Sequence, residues 1–311
     1  MRPSRIKSTR DGARYHIMAR TVRKLFLFDD EIKDWIYDRI FWLASIYHVT
    51  LHSVAVLDNH YHIVLTMSKP ERDDSELERL WDRAEERKAR VKPWQPGEAP
   101  RWHERLCDLS EFAKELNQSV AVYVNDRTGF RGCLWGDRFT SVLVDDGRGL
   151  LATMAYTELN CVRAGICASP SEYRWCSMGH GGDSGLEERV IVPALPGLTQ
   201  LKSAKKRQRA FYYFVEVQAN RQAGNESDFP CDMEELEQVL EDMEQQEIQD
   251  LISNRSRWLT RSLILGSADF CQQAILKFKL QSPAGKGPFP LREDLFNTRE
   301  RAGPGFQRFR A

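Results

Sequence analysis

Asp58-Asn59-His60-Tyr61-His62-Ile63-Val64-Leu65-Thr66 is the stretch on which the reading of this chain turns. Apart from its two histidines it reads as a buried β-strand over residues 60–67. Side chains in a strand alternate between faces, so His60 and His62 project from the same side. Neutral imidazole nitrogens converging on one point suit a divalent cation. The plainer alternative is two polar residues on the solvated face of an amphipathic strand.

Just upstream, residues 50–57 predict a second strand, joined by a tight Asp58-Asn59 turn or continuing through a bulge. Residues 12–22 predict another, in which Tyr15, Ile17 and Ala19 alternate with polar or charged neighbours. A helix over 29–48 takes Asp29 or Asp30 as its cap, and Ile32, Trp35, Ile36, Ile40 and Leu43 form its core stripe. Residues 75–90 predict a charged helix before the Pro-rich loop at 92–97, and 70–107 as a whole reads as an insertion or lid. A helix over 109–125 and a strand over 138–144 follow. Strand, helix, two strands, helix, strand is a ferredoxin-like α+β order, with a central antiparallel sheet flanked by helices.

A helix from Gly147 to Ala164 comes next, with Asp145 and Asp146 where an N-cap is wanted and Gly165 as C-cap. Tyr156 and Asn160 are four residues apart, one turn from each other on one helix face. A free tyrosine hydroxyl, with a pKa near ~10, is a poor nucleophile. It becomes competent beside a base or a metal-bound phosphate, and an asparagine carbonyl one turn away can join two histidines as a ligand. The competing reading of Tyr156 is a half-buried packing residue. Tyr123, also helical and near an asparagine, is the rival nucleophile. His16 on the first strand can approach the same point, although packing or nucleic-acid contact is the simpler role for it.

In order, Ala13–Arg20, Leu57–His62, Gly132–Ser141, Tyr156–Gly165 and Pro170–Ser177 form five blocks. Together they resemble the HUH superfamily, and within it the single-tyrosine REP-associated tyrosine transposases, over about residues 12–178. Gly-x-x-Trp-x-x-Arg-aromatic-x-Ser lies at 132–141, and Tyr-x-x-x-Asn-x-Val-Arg-Ala-Gly at 156–165. Two departures stand out. Leu57-Asp58 occupies the place of the family's Met-Pro, and Cys161 replaces the proline after Asn160, which restores a backbone donor and can straighten the helix there. The resemblance implies an HUH catalytic domain in which His60, His62 and Asn160 hold Mg²⁺ or Mn²⁺. Tyr156 would then be the nucleophile that nicks and rejoins single-stranded, hairpin-forming repeat DNA through a 5′-phosphotyrosine. Arg14, Arg20 and Arg138 are candidate DNA contacts. The alternatives are a domesticated hairpin-binding regulator that does not cut, and a replication initiator or relaxase of the same superfamily. Monomer and homodimer both remain open.

The chain of 311 residues carries 45 basic and 45 acidic side chains. Its mean hydropathy of −0.53 and lack of a long apolar run speak against a membrane span. The basic N-terminus has no apolar segment behind it, so it is not a secretory signal, and a cytoplasmic, nucleoid-associated location follows as an expectation. Seven cysteines without a C-x-x-C pair read as reduced thiols. The zero net charge hides an uneven spread. Arg2, Arg5, Lys7, Arg10, Arg14, Arg20, Arg23 and Lys24 are basic, as is Lys202–Arg209, whereas Asp232–Asp250 holds nine acids and no base. Such a basic half suits phosphates.

The expected organisation is an HUH domain at 1–178 with the 70–107 insertion, a Gly-rich linker at 179–199, a helical extension at 200–282 and a disordered basic tail at 283–311. Helices are expected at 200–222, 232–253 and 255–280, the last interrupted where Gly266 ends one helix and Ser267 caps the next. The extension serves either DNA-end recognition or docking against the first domain.

Overall fold

In the computed structural model the described residues are 6, 11–86, 92–179, 190–193, 195, 198–223, 264–278, 289–290 and 296–297. The first half runs β1 (Ala13–Arg20), α1 (Asp30–Ala44), β2 (Val49–Leu57), β3 (His60–Met67), α2 (Asp74–Glu85), α3 (Ala99–Leu106), α4 (Leu109–Thr128) and β4 (Thr140–Val144). Its strands lie in the order β2-β3-β1-β4, every pair antiparallel. With α2 and α3 set aside as the insertion, this is the expected ferredoxin-like α+β sheet, with β1 and β3 at its centre.

Local chemistry explains the boundaries. The Asp29 carboxylate accepts the Ile32 amide at 2.8 Å and starts α1. Ile32, Ile36, Ile40 and Leu43 are then completely buried along one stripe. Gly129, at φ 67°, ends α4 in the left-handed region that glycine enters without penalty. Asp58 and Asn59 form the two-residue turn between β2 and β3, their carbonyls accepting from Phe28 N and Thr21 N at 2.9 Å each. The Asp58 carboxylate also takes the Lys33 ammonium at 2.9 Å. That ammonium lies 3.8 Å from the Trp175 ring centroid, so the Asp58 departure has a structural use.

β3 separates two environments. Tyr61, Ile63 and Leu65 face α1 and α4, and the Tyr61 hydroxyl donates to Asn117 Oδ1 at 2.9 Å. His60, His62 and Val64 face the other way, toward the helix that carries Tyr156. Outside β2 the chain seals the sheet edge. Val56 N donates to Trp175 O and Ser177 N to Val54 O, both at 2.9 Å, and the Tyr173 hydroxyl donates to Val56 O at 2.7 Å. An uncovered edge would offer its amides to other chains. Residues 190–193, expected in the linker, instead run beside β2, where Ile191 N donates to Leu51 O at 2.9 Å.

The later half departs further from expectation. α7 (Ala204–Ala223) is the anticipated helix and is tied down by Ser169 Oγ donating to Glu216 Oε1 at 2.5 Å. Ile264–Gly266, expected to close a helix, is instead the strand β5, parallel to β4 with Leu143 opposite Ile264. A Cβ on Gly266 would stand 2.2 Å from that of Asp145, so glycine lets the two backbones approach. Ser267 does cap the following helix, α8 (Ala268–Lys277), accepting from Phe270 N at 3.3 Å. Within the tail read as disordered, Phe289–Pro290 (β6) and Phe296–Asn297 (β7) pair with each other and β7 pairs with β5. The sheet thus extends to β2-β3-β1-β4-β5-β7-β6. The expected helix at 232–253, the acidic run, the first basic residues and the tail arginines lie outside the described residues. Among the described residues no helix is long and apolar enough to cross a membrane.

Candidate active site

His60 and His62 leave β3 on one face, their ring centroids 5.1 Å apart. Their Nδ1 atoms are both engaged. His60 Nδ1 lies 2.6 Å from Asn59 Oδ1, an acceptor only, so the proton sits on His60 Nδ1 and the Nε2 lone pair is available. His62 Nδ1 lies 2.9 Å from His16 Nε2. The tautomer that leaves a lone pair on His62 Nε2 donates from Nδ1 to His16. In this way a neighbouring acceptor fixes the orientation of each ring. Burial keeps both imidazoles neutral. It pulls His60 down to about 3, with Arg20 adding to the effect and Asn160 working against it. Desolvation carries His62 well below its ordinary value, reinforced by His16, His60, Arg20 and Arg163. Neutral rings keep the lone pairs that ligation requires.

Tyr156 comes from α5 (Arg148–Glu158), which lies over β2 and β3. Its ring centroid is 5.7 Å from that of His62 and 6.2 Å from that of His16. The helix expected to be continuous to Ala164 breaks at Leu159 (ψ 2°) and resumes as the short α6, Asn160–Arg163. Cys161 in place of the family's proline therefore does not straighten it. The Cys161 thiol donates to Glu158 O at 3.3 Å, occupying a carbonyl of the last α5 turn. Gly165 (φ 71°) follows α6 in the expected left-handed conformation, although the residue next to Arg163 that caps α6 is Ala164. Asn160 is turned toward His60, and its Nδ2 is buried without a hydrogen-bond partner among the described residues.

Neither expected aspartate caps α5. Its N-cap is Gly147, without a side-chain hydrogen bond. Asp145 instead accepts from the Ser267 amide at 3.1 Å and from its hydroxyl at 2.9 Å, linking β4 to α8. Asp146 is ion-paired with Arg14.

The three candidate arginines separate. Arg20 ends β1 directly opposite His60 and acts on both histidines. Arg138 is exposed in the loop after Gly136, whose amide donates to Arg20 O at 3.0 Å, so it stands at the same end of the sheet. Arg14 pairs with Thr66 at the opposite end of β1 and is committed to Asp146. Arg163, not singled out from the sequence, sets its guanidinium 4.7 Å from the Tyr156 ring centroid.

Tyr123 stands apart from this group. It lies on α4, across the sheet from the histidines, stacked on Trp35 at 4.2 Å and 5°. Trp135, central to the 132–141 block, packs on that same side against Tyr61 and donates to Asn117 O at 2.9 Å. His16 is the residue that sequence reasoning undervalued. Its signal was the alternation of Arg14, His16, Met18 and Arg20, but only the β1–β3 register (Met18 opposite His62) reveals the neighbour.

Behind the histidines, Glu158 is completely buried and accepts from Ser53 Oγ at 2.5 Å and Met178 N at 3.2 Å. Desolvation raises it to about 7, against those hydrogen bonds. It too escaped the sequence reading, since nothing local marks a helical glutamate as buried.

No family model matches the chain, and no curated protein does. Among solved structures, one described as "Structure of the REP associates tyrosine transposase bound to a REP hairpin" is similar over 58% of this chain and 84% of that chain, at 14% sequence identity and a TM-score of 0.38. At that distance the likeness carries no argument about activity.

Proposed function

We propose that this protein is a metal-dependent transposase that nicks and rejoins single-stranded DNA at hairpin-forming repeats through Tyr156. The supporting features are the paired histidines, the tyrosine and asparagine turned toward them, and the motif resemblance of residues 12–178. One observation weighs most: the Tyr156 ring stands 5.7 Å from the His62 ring, and His60 flanks it on the same strand face at 5.1 Å.

The donor set fits a small divalent cation. His60 and His62 offer neutral Nε2 atoms. The Asn160 amide favours the charged form of His60, which an amide does through its oxygen, so that oxygen already lies toward His60, while Nδ2 is buried without a partner among the described residues. Two nitrogens and an oxygen accommodate Mg²⁺ or Mn²⁺, the imidazoles favouring Mn²⁺. When bound, the cation supplies Lewis-acid activation of a phosphate and holds it in line.

The chain's own residues do the rest. Tyr156 Oη forms a bond to phosphorus as the bond from phosphorus to the 3′ oxygen breaks, and the phenolic proton ends on the released 3′-hydroxyl. One phosphodiester replaces another, so attack by a 3′-hydroxyl on the 5′-phosphotyrosine rejoins strands without ATP. Arg20 and Arg163 bring two cationic groups to bear on His62, where a phosphate supplies the compensating charge. Arg138, exposed at the same end, is placed to contact flanking backbone. Arg14 serves structure through Asp146.

Incubating the protein with labelled single-stranded hairpin DNA and Mn²⁺, then running a denaturing gel, tests the proposal. A covalent protein–DNA band that disappears in Tyr156→Phe is expected. Tight binding without any such band would favour a non-cutting regulator.

A further inference from the structure

A second group of ligating side chains lies at the opposite end of the β2–β3 hairpin. His48 immediately precedes β2, His103 lies on α3, and Cys107 is the residue that ends α3. One ligand atom from each falls within 4.8 Å of the others, and Cys107 Sγ is 3.8 Å from His103 Nε2. The two histidine rings are 5.7 Å apart. We propose that His48, His103 and Cys107 form a Zn²⁺ site that clamps the 70–107 insertion onto the sheet.

The backbone around the group is already assembled. His48 N donates to Leu106 O at 3.1 Å, and His48 O accepts from Ser68 N at 2.8 Å. Three separate segments therefore meet at His48, and its position does not depend on a metal. His103 and Cys107 are four residues apart on one helical turn, the spacing that puts both side chains on one face. His48 Nε2 is buried with no hydrogen-bond partner among the described residues, an uncompensated cost that a ligand removes. His103 Nε2 lies 3.0 Å from Pro70 O, so ligation through that nitrogen moves its proton to Nδ1.

Two imidazoles and a thiolate select a borderline-soft ion, and Zn²⁺ accepts such mixed sets in tetrahedral geometry. Water fills the fourth position. The Glu76 carboxylate, close enough to favour the charged form of His48, adds compensating negative charge. Zinc replaces the thiol proton, so binding one ion releases one proton at the sulfur. From Leu57, opposite His60, back to Val49 is eight residues of β2, about 26 Å at strand rise. The ion would therefore act apart from the His60–His62 face. The chain between His48 and Cys107 closes on itself through it, and α2 and α3 would be held against the edge strand.

The test uses the full chain, stripped with chelator and reloaded with Co²⁺ as a spectroscopic stand-in for Zn²⁺. One equivalent should produce a thiolate-to-cobalt charge-transfer band, which His60, His62 and Asn160 cannot generate because they hold no sulfur. Cys107→Ser should abolish the band and His103→Gln should weaken Co²⁺ binding by on the order of 100-fold or more, while His60→Ala/His62→Ala leaves the band intact. In the unmutated protein, one equivalent of Zn²⁺ should slow iodoacetamide modification of Cys107 at least ~10-fold, read by peptide mass spectrometry; this arm needs no variant to fold. A wild-type protein without the band, a band that survives Cys107→Ser, or alkylation at the same rate with and without Zn²⁺ would overturn the site.

Discussion

The two faces of β3 share one backbone and one set of neighbouring strands, yet they are built to different ends. Tyr61, Ile63 and Leu65 point into a layer in which the Asn117 side chain and carbonyl both find partners. Tyr61 donates to Asn117, and Trp135 donates to the Asn117 carbonyl. Across the same strand, His60 and His62 are also buried, but their environment disfavours charge and leaves Asn160 Nδ2 without a hydrogen-bond partner among the described residues. Burying a polar group without full compensation costs free energy, so a fold that keeps several such groups together on one face marks that face as a place for something else to bind.

The largest expected contrast comes from neighbouring substitutions on opposite faces. Tyr61→Ala should cost about 3–5 kcal/mol of unfolding free energy, as removal of a large buried ring does. His62→Ala should cost no more than about 2 kcal/mol, mostly from the His16 nitrogen left behind, yet reduce covalent DNA capture by on the order of 10³-fold or more. Urea denaturation and single-turnover capture, measured on both variants, would break the comparison if the order reversed.

How much of this was legible beforehand follows the range of the interactions. The strand alternation around His60 and His62, the Asp58-Asn59 turn, the Asp29 cap and the βαββαβ order depend on neighbours in sequence, and they could be read directly. The distinction between Tyr156 and Tyr123 depends on which helix covers which face: the motif around residues 156–165 favoured Tyr156, and it is Tyr156 that lies on the histidine side. What could not be read were contacts set by register or by distant segments. His16 meets His62 only because Met18 pairs with His62. Asp145 turned from a presumed cap into an anchor for Ser267, because β5 arrives from more than a hundred residues away. Ile264-Leu265-Gly266 looks the same locally as a helix end and as a short buried strand.

pH sharpens the comparison at intermediate scale. Glu158 lies behind the histidine face with its pKa raised to about 7 by burial. The folded state therefore holds this proton more tightly than the unfolded state. Stability from the protonated form is fully present below pH 4.5 and is lost as pH climbs through 7, by up to about 3 kcal/mol. His52, held neutral between Ile191 O and Thr66 Oγ1, has its pKa lowered to about 4 by desolvation. Its contribution has the opposite sign, present above pH 6.5 and lost as the solution is acidified toward 4. Glu158→Gln should remove the alkaline decline between pH 5 and 8 while leaving the acid limb in place. Melting curves across that range would show it, and an unchanged alkaline slope would assign the decline elsewhere.

A smaller effect separates orientation from ligation. His16→Gln takes away the ring acceptor that fixes the His62 tautomer, and Mn²⁺ affinity should fall about 10–100-fold with little change in melting temperature. Equal affinity in calorimetric titrations of both proteins would reduce His16 to a packing residue.

The most direct measurement locates the covalent bond itself. Protein captured on hairpin DNA, digested with nuclease and trypsin and read by tandem mass spectrometry, should carry its nucleotide remnant on the peptide containing Tyr156, joined through a 5′ phosphate. A remnant on the Tyr123 peptide, or on any residue outside the face shared by His60 and His62, would contradict the assignment of the reacting centre.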